Sequence, residues 1–171
     1  PRQSCPVCLL PMQFWSGYHR SVRVNDRWWR VWTCRARCLS CRVSHGLIPS
    51  FLLSGRQDPV EVIGAAIVGI AGGMSIGAAA RGLGVAFTTV RGWWRRFGVR
   101  ASTWWSGFAA LTVELGGVIP ARWPSGPPAA AVAAIGWAHQ AALDRHPVST
   151  LGRWEFVSVV CGGTLIGTTT N

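Results

Sequence analysis

Four cysteines stand at spacings that suit a metal ion. Cys5-Pro6-Val7-Cys8 forms one C-x2-C pair, and Cys38-Leu39-Ser40-Cys41 forms a second, with 29 residues between them. Each pair can fold into a tight turn that aims both sulfurs at one ion, and two such turns complete a tetrahedron. The expected cofactor is Zn2+, held by Cys5, Cys8, Cys38 and Cys41. The ion would supply folding energy that so short a segment cannot draw from burial. Disulfides are the alternative, but they need an oxidising compartment. No secretory signal is expected, because Cys5 and Cys8 interrupt the start. Cys34 is expected to be a small core residue at the end of a strand-like run. His45 makes C-x2-C-x3-H, which is also a ligand spacing. With four thiolates present, His45 is read as packing or hydrogen bonding beside the site, and its ligation stays open.

The elements that would position these cysteines are strands. Phe14 to Val24 alternates in its second half, Asn25-Asp26 marks a turn, and Arg27 to Arg37 returns with aromatic and β-branched residues. Two antiparallel strands between two knuckles make a zinc ribbon. Arg20, Arg23, Arg27, Arg30, Arg35 and Arg37 stud this hairpin.

Charge is concentrated in the same region. The 171 residues carry a net charge of +11, from 17 arginines, no lysine and six acids. Residues 1–57 hold nine arginines against Asp26 alone, residues 58–100 hold five against Asp58 and Glu61, and residues 101–171 are balanced. A polyanion is the natural partner of the first hundred residues, and nucleic acid is the commonest. The arginine fork suits both phosphate and guanine. The lack of lysine also follows from GC-rich coding. With 49% hydrophobic residues and 13% charged, the chain is not a disordered basic tail.

The next segment reads as three helices. Asp58 is expected to cap the first and Pro59 to open it, with Gly72-Gly73 ending it. Ser75 caps a second helix over Ile76–Leu83, Gly84 breaks it, and a third runs from Phe87 to Phe97. Ala80, Gly84, Val90 and Trp93 fall at offsets 0, 4, 10 and 13. Such spacing, in the form "LGV…TVRGWWRRF", resembles the bacterial helix-turn-helix unit. The resemblance implies that the third helix offers Phe87, Thr88, Arg91 and Gly92 to base edges in the major groove, with Arg95 and Arg96 near phosphates. Arg23 and Arg30 of the ribbon would add phosphate contacts. Ala86 departs from the usual Ser or Asn cap, and Gly82 and Gly92 lower helix propensity. An ordinary three-helix bundle is the bland alternative.

Taken together, "CPVC … RCLSCRVSHGLIPSFLLSGR … VEVIGAAI … LGVAFTTVRGWWRRF" resembles an uncharacterised actinobacterial family with a zinc ribbon followed by a helix-turn-helix. The resemblance covers residues 5–97, and the tail "WEFVSVVCGGTLIGTTTN" is similar to the family's C-terminal segment. The combination is similar to the N-terminal DNA-binding part of bacterial transposases. It implies double-stranded DNA recognition, as a transposon-associated protein or transcriptional regulator, and supplies no reaction. A homodimer and a separate transposase or recombinase are the implied protein partners, in a cytoplasmic, nucleoid-associated setting.

The remaining third is less informative. Helices are expected over Trp104–Leu115 and Ala129–Leu143, with a Pro-rich linker at 120–128 and a last helix over Trp154–Ile166 broken by Gly162-Gly163. Val62 to Ala80 runs without charge for about the length of a membrane span, but it is mostly Ala and Gly, so a buried helix is preferred. A chain opening at Pro1 leaves a longer parent open. No enzyme is expected: the six acids are scattered, His139 and His146 lack a nucleophile, and the single tyrosine, Tyr18, sits in the ribbon. The expected fold class is α+β, with a zinc ribbon over 1–50, a helix-turn-helix over 56–100 and C-terminal helices over 101–171. The other functional classes are a zinc-ribbon protein-interaction module and a small membrane-associated protein.

Overall fold

Asn25 (φ 49°) and Asp26 (φ 60°) both take left-handed backbone and reverse the chain in two residues. Positive φ at both positions matches the right-handed twist of the flanking strands. The strands are β1 (Met12–Val24) and β2 (Arg27–Cys38), antiparallel from Met12↔Cys38 to Val24↔Arg27. The structure, a computed structural model, describes residues 4–167. Arg2, one of the nine arginines counted above, and the Thr168–Asn171 end of the family-like tail lie outside the described residues. The chain divides into two compact units between Pro49 and Ser50.

In the first unit a third strand, β3 (Ser44–Leu47), adds antiparallel to β2 and completes a sheet of order β1-β2-β3. The expected two-stranded hairpin is therefore corrected to three strands. Ser44-His45-Gly46-Leu47 is short and carries no alternation, so sequence pattern could not reveal it. A bulge at Trp15, between Phe14↔Ala36 and Ser16↔Arg35, shifts the register. It explains why alternation in β1 is legible only in the second half. β3 pairs with Cys34–Arg37 alone, so the hairpin from Trp32 to its tip is two-stranded. Cys34, expected in a core, is half-buried, between Gly17 and Leu47 in the sheet. The buried apolar cluster here is small: Cys5, Met12, Ala36 and Cys38, with Leu47 against it, and Val22 is buried apart from it. So few buried side chains do not stabilise a unit of this size.

The second unit is helical: α1 (Val60–Ala71), α2 (Ile76–Gly82), α3 (Phe87–Val99), α4 (Ala101–Glu114), α5 (Pro127–Arg145) and α6 (Arg153–Val160). Pro59 is the N-cap of α1 rather than its first helical residue, and Asp58 is buried one position earlier, so the expected Asp58 cap is corrected. The Ser75 cap does form, its Oγ accepting from the Ala78 N–H at 3.1 Å. Pro127 and Pro128, expected in the linker, begin α5, where fixed φ suits the first turn. The last helix stops at Val160; Gly162 and Gly163 turn the chain, and Leu165 and Ile166 then plug the core.

One core spans residues 53–166 and includes Ile67, Phe97, Phe108, Ile135, Trp154 and Ile166. It crosses the border expected between 100 and 101, where only Arg100 separates α3 from α4. The buried stripe of α5 is Ala130, Ala131, Ala134, Ala138 and Ala141 with Ile135. Trp154 of α6 lies across Gly64 of α1, where any Cβ would run into the indole. The charge-free Val62–Ala80 stretch is cut at Gly72-Gly73 into helices of 12 and 7 residues. Among the described residues no helix is long and apolar enough to cross a membrane.

Candidate functional site

Each knuckle is built by backbone N–H groups aimed at sulfur. Cys5 Sγ accepts from Val7 and Cys8, and Cys8 Sγ from Leu10. Cys38 Sγ accepts from Ser40 and Cys41, and Cys41 Sγ from Val43. The pattern repeats at the same offsets in both knuckles. The backbone closes in parallel too, with Cys5 N–H donating to Leu10 O (2.8 Å) and Cys38 N–H to Val43 O (3.0 Å). Leu9 and Arg42, each directly after the second cysteine, take φ 62° and 60°. The first knuckle precedes β1, and the second joins β2 to β3, so the sheet carries both to one end.

There the four sulfurs meet. Cys5 and Cys41 Sγ are 3.6 Å apart, Cys8 and Cys38 Sγ 3.3 Å, and all four lie within 4.8 Å of one another. A tetrahedron with metal–sulfur bonds of about 2.3 Å has edges of about 3.8 Å. A disulfide would need about 2.05 Å, so these are four thiols gathered around one point. Cys5 and Cys38 are buried, Cys8 and Cys41 half-buried. The arrangement can hold one tetrahedral metal ion. Cys34 and Cys161 lie outside it. His45, on β3, places Nε2 3.8 Å from Cys5 Sγ, beside the four rather than among them. With Nε2 protonated it donates to the thiolate.

Taken by themselves the four sulfurs titrate unequally. The Cys41 N–H, against desolvation and with help from Cys8 and Ser40, lowers Cys38 to about 6. Cys41 accepts from Val43, which lowers its pKa, but desolvation and the other three sulfurs outweigh that and raise it to about 11. No family model matches the chain, and no curated protein or solved structure is found similar to it.

The second candidate site is a face of α3. Val90, Trp93 and Phe97 are buried and fix the helix to the core. Phe87, Thr88, Arg91 and Arg95 are exposed, while Gly92 and Arg96 are half-buried. Thr88, Arg91 and Arg95 recur at helical spacing and share one face. Ala80 is buried, and Gly84 (φ 62°) makes the turn before Val85. No side chain caps α3 at Ala86. A Cβ on Gly92 would sit 2.9 Å from Arg96 Nη1, so Arg96 folds back along its own helix.

Two arginines of the basic excess are committed elsewhere. Arg56 donates from Nη2 to Ile166 O at 2.8 Å, and burial first, then the charge of Arg96, push its pKa down. Arg100 donates from Nη1 to Thr164 O at 2.8 Å and lies over Trp104. Both hold the C-terminal segment rather than facing a polyanion. In the sheet unit, Arg27, Arg30 and Arg35 are exposed, Arg20 and Arg23 half-buried, and Arg37 lies 4.6 Å over the Trp15 ring. Sequence reasoning missed that Trp28, Trp29 and Trp32 are more than half exposed. The signal was available: three tryptophans in five residues, in a segment with little other apolar content to cover them.

Proposed function

We propose that the chain is a double-stranded DNA-binding protein in which α2 and α3 form a helix-turn-helix and a Zn2+ ion shapes the N-terminal sheet as a zinc ribbon. The observation that carries this is the division of α3. Its inward residues, Val90, Trp93 and Phe97, are buried, and its outward face offers Thr88, Arg91 and Arg95 from the N-terminal end. A helix anchored in this way can enter a major groove with its first turns at the base edges. Arg91 would then read a guanine and Arg95 meet phosphate, with Arg96 alongside. Arg23 and Arg30 add phosphate contacts from the ribbon. Four thiolates are the donor set of structural zinc, which has no geometric preference of its own and accepts the tetrahedron the knuckles impose.

The test is selection of bound duplexes from a random pool by the zinc-loaded chain. Enrichment of a defined site, lost in an Arg91→Ala chain, is the expected result. A pool that stays random through successive rounds would overturn sequence-specific binding.

A further inference from the structure

One face of the hairpin carries tryptophans that duplex binding leaves unexplained. Partners across the ladder point to the same side of a sheet. On one side of β1 and β2 the rungs are His19↔Trp32, Ser21↔Arg30 and Arg23↔Trp28. Two indoles therefore stand on alternate rungs with a guanidinium between them, about 7 Å from each along the strand.

These rings are displayed, not packed away. Trp28 is 59% exposed and Trp32 52%, whereas Trp93 and Trp154 of the helical unit are 2% and 4% exposed. Trp32 is also held in place. Its indole lies on Gly17, where any Cβ would strike the ring, and the His19 ring meets it edge-on at 5.0 Å between centroids. One ring face is turned to the strand, and about half of the residue stays exposed. Among the described residues no third strand reaches this part of the sheet.

The chemistry of the face selects its occupant. Arg30 is exposed beside the rings, and Asp26 is the only acid in residues 1–57. The partner is therefore anionic, and it must also offer flat faces to the indoles. Bases within a duplex stack on one another and show only their edges. Unpaired bases show their faces and stack on aromatic side chains while arginines follow the phosphates. We propose that the hairpin face of Trp28, Arg30 and Trp32 binds unpaired nucleic acid, with bases on the two indoles and phosphate at Arg30. This goes beyond the duplex reading of α3 and does not depend on it.

The experiment uses the full zinc-loaded chain and labelled oligothymidylate of roughly 15 nucleotides, followed by anisotropy beside a random duplex. Trp28→Leu and Trp32→Leu should each weaken oligothymidylate binding about tenfold, and Trp28→Phe and Trp32→Phe should keep most of it. Duplex binding should change far less. Because Trp32 packs on Gly17, Trp28→Leu provides the test free of that contact, and metal content checks that each variant is folded. Arg91→Ala combined with Arg95→Ala should leave oligothymidylate binding unchanged. Failure of the duplex reading would appear in that chain alone. Leucine variants that bind the oligonucleotide like the parent would overturn the proposal. So would equal losses on oligonucleotide and duplex, or displacement of the oligonucleotide by polyglutamate as readily as by unlabelled oligothymidylate.

Discussion

Leu9 and Arg42 are structural counterparts: each follows the second cysteine of its knuckle, and each holds left-handed backbone, at φ 62° and 60°. A residue with a Cβ pays about 1–2 kcal/mol there, and glycine does not. The turn is kept because it aims the Leu10 and Val43 N–H groups at Cys8 and Cys41.

Leu9→Gly and Arg42→Gly should therefore make the first unit hold metal more tightly, and Leu9→Val and Arg42→Val should loosen it by about 1 kcal/mol. Competition with a chelator followed over time measures both. Glycine variants that release metal faster than the parent would mean that the φ values are not the constraint.

One zinc per chain is expected, and Cys38→Ser should abolish it. The sheet should then unfold while the helical signal in far-ultraviolet circular dichroism persists, because the core of residues 53–166 contains no cysteine ligand. Loading should also release protons. Cys41, raised to about 11, and Cys8, raised above its usual 9.0, enter as thiols near neutral pH and must ionise to bind. Uptake should strengthen as pH rises through the neutral range, and calorimetry in buffers of different ionisation enthalpy would count the protons.

On α3 the two exposed arginines should separate. Arg91→Ala should cost about 1–3 kcal/mol on the selected duplex and relax preference at one base pair. Arg95→Ala should weaken all duplexes alike and flatten the salt dependence by about one unit, with Arg23→Ala and Arg30→Ala behaving likewise on duplex. Titrations at two salt concentrations distinguish these outcomes. Equal losses for Arg91→Ala on selected and random duplexes would remove it from base reading.

Gly64 should tolerate no larger residue. Gly64→Ala drives a methyl into the Trp154 indole and should lower stability by about 1–3 kcal/mol. Trp154→Ala should cost about 3–5 kcal/mol through the cavity it leaves. The double variant should be less damaged than the sum, because the smaller partner removes the clash. Urea denaturation of the four chains tests the coupling, and strict additivity would place the two residues out of contact.

Much of this was legible in sequence because it is local. The Cys-x-x-Cys spacing, the Asn25-Asp26 turn and the Ser75 cap each depend on neighbours within a few residues, and each stands as its residue types require. The division of α3 was legible too, since Val90, Trp93 and Phe97 repeat at helical period. What escaped depends on distant partners. β3 exists because Cys34–Arg37 offers it an edge, not because Ser44–Leu47 is strand-like. Arg56 and Arg100 look like part of a basic surface until the carbonyls of Ile166 and Thr164 arrive from more than sixty residues away. The exposure of Trp28 and Trp32 was signalled by their crowding but is easily overridden, because aromatic residues in a strand are ordinarily read as core.

The alanines of α5 give this protein an unusual mutational profile. In most interiors the damaging change is truncation, because a lost methylene leaves a void. Here Ala130, Ala131, Ala134, Ala138 and Ala141 have almost nothing to lose, and their trimming to glycine forfeits mainly about 1 kcal/mol of helix propensity each. Growth is the hazard, since each added carbon must displace a neighbouring helix. A saturation library across α5 would therefore be depleted of the large apolar residues that are usually the safest choices for a buried position, and selection on this helix would act chiefly as a ceiling on size.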